Sequence, residues 1–179
     1  MFKTIALVVG AVLVVGIAGV LAYAATRPDT FTLQRSASIK ASPDKIYPFI
    51  SDFHNWGAWS PWEKMDPELK RTYSGAPSGA GTVYAWEGNR KVGQGRMEII
   101  EASPPSKVTL KLDFVRPFEA HNQVDFVLEP RGESTDITWK MQGPQPYFAK
   151  VIGVVFNMDK MVGKDFESGL ANLKAAAEK

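Results

Sequence analysis

The chain has 179 residues, with 21 Lys and Arg against 19 Asp and Glu, two His and no Cys. The lack of Cys removes disulfides, thiolate nucleophiles and Cys-ligated metals from consideration. Near-neutral charge, with no cluster of Lys or Arg, leaves no basic field to release counterions from a phosphate backbone, so no nucleic-acid partner is expected.

Residues 4–25 carry no charged side chain. At about 1.5 Å per residue this run covers roughly 33 Å, enough to cross the hydrocarbon core of a bilayer. The expected organisation is an N-terminal transmembrane anchor over residues 1–26 and one domain over residues 27–179. A cleaved signal peptide is the alternative, because Ala22-Tyr23-Ala24 has the small-x-small form of a cleavage site. The apolar run exceeds the roughly 7–15 residues of a signal core, which favours a retained anchor. Lys3 opposes only Arg27, with Arg35 and Lys40 further on, so charge decides little about orientation. A very short N-terminal tail ordinarily stays cytoplasmic, which places the domain on the outer, periplasmic or extracellular side of a single-pass cell-membrane protein. The small-xxx-small pairs Ala6/Gly10 and Ala18/Ala22 are too common in such segments to imply a dimer.

After a linker at Arg27-Pro28-Asp29-Thr30, Phe31 to Lys40 alternates as a first strand. Ser42-Pro43-Asp44 then opens a short helix, with Ser as N-cap, Pro at the first helical position and an acid in the first turn. Ile46, Phe49, Ile50 and Phe53 give it an apolar stripe despite Pro48. His54-Asn55-Trp56-Gly57 continues as a second short turn. From Glu68 the period becomes two, over 69–74, 82–87, 92–102, 108–115, 120–129 and 135–142. The short turns between these segments predict an antiparallel meander. Beyond Pro144 and Pro146 the period turns helical almost to the end, with Phe148, Val151, Ile152, Val155, Val162, Phe166 and Leu173 on one side, which predicts one long helix laid on the sheet.

The predicted fold class is therefore α+β: a curved antiparallel sheet of about seven strands wrapped around a long C-terminal helix, two short helices after strand 1, and one transmembrane helix in front. A curved sheet around one long helix leaves room for a ligand where the two diverge.

The ordered set of local motifs resembles the polyketide cyclase/dehydrase-like branch of the SRPBCC superfamily, whose helix-grip fold is shared with START lipid-transfer domains and the birch pollen allergen. The resemblance is carried by Ala41-Ser42-Pro43-Asp44-Lys45-Ile46-Tyr47, by Asp52-Phe53-His54-Asn55-Trp56 running into Trp59-Ser60-Pro61-Trp62, and by Tyr84-Ala85-Trp86-Glu87-Gly88-Asn89. It continues through Gly93 to Met97, Phe114 to Ala120, Thr135 to Trp139 and Met158 to Glu167. It implies a cavity roofed by the long helix and used for hydrophobic ligands such as lipids, sterols, quinones or polyketides. The lining it implies here is Trp86, Met97, Phe114, Phe126, Trp139, Met141, Phe148, Ile152 and Phe156.

Chemistry is less well provided for. His54 and His121 are far apart in sequence and lack the paired spacing of metal ligands, so no metal and no cofactor is expected. There is no Gly-x-Ser-x-Gly elbow. Gly93-Gln94-Gly95 lacks the context of a nucleotide loop and fits strand curvature or a bulge better. The remaining polar residues in aromatic surroundings are Tyr84, Glu87, Arg96, Glu119, His121 and Asp125. Within this set His121, with Glu87 and Arg96, is the candidate catalytic group of a cyclase or dehydratase, provided that it points inward beside a carboxylate. A solvated histidine at a strand start is the simpler reading. Three functions follow: a tethered module binding a hydrophobic small molecule or lipid, a cyclase-like enzyme, and a chaperone-like or structural partner protein presenting an external apolar patch.

Overall fold

The computed structural model describes residues 2–179, with every side chain except those of Val155 and Met158. The expected place of Val155 on the apolar side of the C-terminal helix thus falls outside the described side chains. The first helix, α1, runs Phe2–Ala25 and is long and apolar enough to cross a bilayer. Strand β1 (Thr30–Ile39) follows, then α2 (Pro43–Ser51) and two 3-10 segments, Phe53–Ala58 and Pro61–Lys64.

Helix α2 starts where the motif places it. Ser42 occupies the N-cap position, although its hydroxyl makes no capping bond, and its carbonyl accepts from Lys45 and Ile46. The far end is closed by two indoles: Trp56 Nε1 donates to the Ile50 carbonyl at 3.1 Å and Trp59 Nε1 to the Phe49 carbonyl at 2.8 Å. Both satisfy carbonyls that a helix end otherwise leaves open, and each buries a large ring with its one donor occupied.

The six later strands are β2 (Lys70–Gly75), β3 (Thr82–Glu87), β4 (Gln94–Ser103), β5 (Lys107–Arg116), β6 (Ala120–Arg131) and β7 (Ser134–Pro144). They form one seven-stranded sheet in the order β1-β7-β6-β5-β4-β3-β2, antiparallel throughout. Sequential hairpins build the meander, and β1 returns to pair with β7. Strand β4 breaks register between Gln94 and Gly95 and again between Ile99 and Glu101, which bends the sheet. Gly93 sits there at φ +66°, and a Cβ on Gly95 would lie 2.4 Å from the Trp86 ring and 2.5 Å from the Asp113 carbonyl oxygen. These glycines therefore shape the strand and let Trp86 lie flat against it.

The C-terminal segment differs from the single helix predicted. It is two helices, α3 (Tyr147–Val155) and α4 (Met158–Ala177), separated by an extended Phe156. Asn157 restarts the chain as an N-cap, its Oδ1 accepting from Lys160 N at 2.8 Å. The apolar period runs unbroken across this joint, so periodicity could not reveal it. Only α4 lies on the sheet, mainly across β1, while α3 packs against α1.

Candidate ligand-binding site

Period two sorts the strands into faces. The concave face, covered by α4, carries directly paired rows such as Tyr84–Met97–Leu112 and Ile99–Leu110–Val124–Met141, with Phe126 opposite Trp139 and Gly95 between Trp86 and Phe114. Trp86, Met97, Phe114, Phe126, Trp139 and Met141 thus share this face. Phe126 and Trp139 are deeply buried and Met97 is buried, whereas Trp86, Phe114 and Met141 are half-buried and pack against the core.

The space between sheet and α4 is filled by rings. Trp139 stacks on Phe166 of α4 with centroids 3.9 Å apart and planes 12° from parallel. Trp59 meets Trp139 edge-on at 5.4 Å and Phe126 at 6.0 Å. A Cβ on Gly169 would approach the Trp139 ring to 2.9 Å, so glycine at that position lets α4 descend onto the indole. One polar atom in this stack lacks a partner: Trp139 Nε1 is buried with no hydrogen-bond acceptor, as is the Tyr47 hydroxyl of α2. An unmet buried donor costs about 1–3 kcal/mol.

Arg35, also on the concave face and opposite Trp139 in register, reaches α4. Its Nε donates to Glu167 Oε1 at 2.8 Å, and its Nη2 lies 3.2 Å from Asp159 Oδ2. These pairs pin the start and middle of α4 over the aromatic stack.

At the other end of the concave face, the second 3-10 segment supplies Glu63. Its carboxylate accepts from the Tyr84 hydroxyl at 2.6 Å and from Arg71 Nε at 2.7 Å. Burial and the Glu63 carboxylate together push the Tyr84 phenol far above its ordinary range. Neither Glu63 nor Arg71 was expected at the site: Glu63 lies where no apolar period operates, and Arg71 is a charged residue on the apolar parity of its strand, opposite Trp86. The available sign was an acid immediately after Trp62 in a segment opened by Pro61.

The remaining expected residues lie elsewhere. Phe148 and Ile152 stand on α3 and Phe156 follows it, so none of them roofs the sheet; Phe148 and Phe156 are exposed and Ile152 is half-buried. His121 is on the convex face. Its Nδ1 lies 2.7 Å from Asp113 Oδ1 and its Nε2 3.3 Å from Glu119 Oε1, and the ring is largely solvated. Its hydrogen bond with Asp113 raises its pKa above the ordinary value, and Glu119 adds to this. Glu87 pairs with Arg116, and Arg96 with Glu98. Asp125 accepts from Thr109 and Gln123. The inward His121 that a catalytic role required is thus not found, because 121 falls on the opposite parity from Val124, Phe126 and Leu128. Among the described residues no cluster of His, Asp and Glu is arranged to hold a metal.

A strongly bent antiparallel sheet closed by a C-terminal helix, with an aromatic interior between them, defines the helix-grip class of the SRPBCC superfamily. Residues 30–178 match the model of the family described as polyketide cyclase/dehydrase and lipid transport, and the chain belongs to that family. No curated protein matches the chain. Among solved structures it is similar to ginseng major latex-like protein 151 from Panax ginseng, with a TM-score of 0.61, 14% identity, and coverage of 85% of this chain and 100% of that one. Protein CV1439 from Chromobacterium violaceum gives a TM-score of 0.59 at 14% identity, covering 86% of this chain and 99% of the other. Protein MLL2253 from Mesorhizobium loti gives 0.57 at 17% identity, covering 81% and 95%. At such identities the likeness establishes the fold alone.

Proposed function

We propose that the protein is a membrane-tethered binding domain that takes a hydrophobic small molecule or lipid between the concave face and α4. The unpartnered Trp139 Nε1 carries this reading. It is a donor buried among aromatic rings, and it gains an acceptor if an apolar molecule bearing a carbonyl, ester or hydroxyl oxygen enters beside it. The family description, which includes lipid transport, supports the same class of ligand. Admission requires α4 to lift from Trp139, and the surface ion pairs of Arg35 with Asp159 and Glu167 are a weak enough latch to permit that. The anchor over residues 4–25 holds the domain beside its ligand source and raises the local concentration, with the domain on the outer side of the membrane.

The test is native mass spectrometry and organic extraction of the full chain purified in mild detergent, beside Trp139→Phe, which keeps an aromatic side chain and removes the N–H. An apolar species retained by the parent chain and lost several-fold in the variant is the expected result. Preparations that repeatedly carry no such species, or retain it equally in both, refute it. Protease shaving of spheroplasts reports the side: cleavage of the domain without lysis is expected, and protection would reverse the orientation.

A second reading has one observation in its favour. Glu63, Arg71 and Tyr84 converge at the end of the concave face, and a carboxylate held in place by a phenol and a guanidinium is a candidate proton acceptor for a cyclase-type or dehydration step, with Tyr84 orienting it. Turnover of a polyketide-like substrate that disappears in Tyr84→Phe with the fold retained would establish it.

A further inference from the structure

Helix α3 lies along the C-terminal half of α1. Val151 borders an apolar depression together with Val12, Leu13, Gly16, Ile17, Val20 and Leu21. The Tyr147 hydroxyl donates to the Leu21 carbonyl at 2.9 Å. The linker that leaves α1 is tied to the same helix, because Lys150 Nζ meets Asp29 Oδ1 at 2.6 Å and Gln145 N donates to the Asp29 carbonyl at 2.6 Å. The folded unit is therefore seated against α1 at a defined angle.

The depth follows from helix geometry. Counting from Ala25 at about 1.5 Å per residue, Leu21 lies roughly 6 Å and Val12 roughly 20 Å along α1 from its end. An α1 that crosses a bilayer carries α3 into the adjoining leaflet. The composition of α3 agrees. Its nine residues, Tyr-Phe-Ala-Lys-Val-Ile-Gly-Val-Val, contain one ionisable cation, Lys150, and that side chain is buried against the linker instead of facing outward. Outward it presents Phe148, 61% exposed, and the extended Phe156 beyond it is exposed too. The β5–β6 turn adds Phe118, 67% exposed, whose ring centroid is 6.1 Å from that of Phe148. In water such a patch costs free energy in proportion to its apolar area, whereas in the acyl region it costs none.

We infer that α3 and the Phe118 side chain are themselves immersed in the leaflet that holds the C-terminal half of α1, so that the domain is docked on the bilayer by three elements and its α3–α4 joint opens towards lipid. This rests on α1 being a retained membrane anchor. The occupant of the patch is the acyl region of a lipid leaflet, because the patch is continuous with the apolar surface of α1.

The absence of native Cys allows a direct test. Single-Cys variants Phe118→Cys, Phe148→Cys, Ile17→Cys and Glu133→Cys, all at exposed positions, are labelled with bimane in the full chain and placed in phosphatidylcholine nanodiscs. Quenching by an acyl-chain spin-labelled lipid is then compared with quenching by aqueous iodide. Labels at positions 118 and 148 are expected to follow position 17, with acyl-chain quenching several-fold above that of position 133 and little iodide quenching. Position 17 in lipid with 118 and 148 open to iodide overturns the docking and leaves the anchor intact. Position 17 open to iodide overturns both.

Discussion

Lys150 and Asp29 stand 121 positions apart in the chain and meet at 2.6 Å, with the lysine side chain 7% exposed and the aspartate side chain 97% exposed. A cation drawn out of water beside an anion left in it is an asymmetric pair. The lysine depends on the aspartate more than the reverse, since an unpaired buried ammonium is costly. The contact is the polar clasp between the linker and α3.

Breaking the clasp should free α3. In Asp29→Asn the cation of Lys150 loses its counter-charge, and amide hydrogen exchange over residues 147–155 is expected to rise several-fold while the sheet is unchanged. Unchanged protection of α3 would show that its packing on α1 suffices.

The same pair predicts a pH dependence. The hydrogen bond from Lys150, and then its charge, lower the Asp29 pKa below the ordinary carboxylate value. The clasp therefore contributes fully above about pH 4 and is lost as pH falls through the lowered pKa. Protection factors at α3, corrected for intrinsic amide exchange, should be flat from neutrality down to about pH 5 and fall only in stronger acid. A transition near neutrality would assign it to another group.

His121 is expected to titrate above about 6.5, its unperturbed value, because Asp113 and Glu119 favour the imidazolium. Its contribution to stability is complete below that value and fades as pH rises through the raised one. An NMR titration of its ring signals checks the midpoint, which should move down in Asp113→Asn. Since the ring lies on the convex face, His121→Ala should leave ligand retention unaltered.

The aromatic interior sets the core's stability. Trp59 is fully buried, and its indole closes α2. Trp59→Ala is expected to cost about 3–5 kcal/mol, read from the urea midpoint of the full chain in micelles. A loss below about 1 kcal/mol would mean that the site collapses around the gap.

Gly95→Ala drives a methyl group into Trp86 and into the Asp113 backbone, and should cost about 1–3 kcal/mol of overpacking. A shift in Trp86 fluorescence is expected with it. Gly10→Ala, where no atom lies within 4 Å, is the matched neutral change.

Several of these features are legible in the residue pattern. Val108, Leu110, Leu112 and Phe114 declare their face by alternation, and the same alternation, counted back from Val124, already puts His121 on the other one. Ser42-Pro43-Asp44 marks the start of α2 because N-cap chemistry is local. The bulge at Gly93-Gln94-Gly95 is legible for the same kind of reason. By contrast, Glu63 carries no period that points to Tyr84, the partner of Arg71 is not given by its strand period, and the break at Phe156-Asn157 hides inside an unbroken apolar repeat.

By itself, the sequence determined the apolar segment of α1, the strand faces, the order of the strands and the family, all of which depend on spacings of a few residues set by backbone geometry. Only the tertiary structure decided that α3 leaves the sheet for α1, that Trp139 is left without an acceptor, and that Arg35 fastens α4. Each of these is a contact between segments remote along the chain, chosen by which surfaces remain to be covered once the sheet has closed.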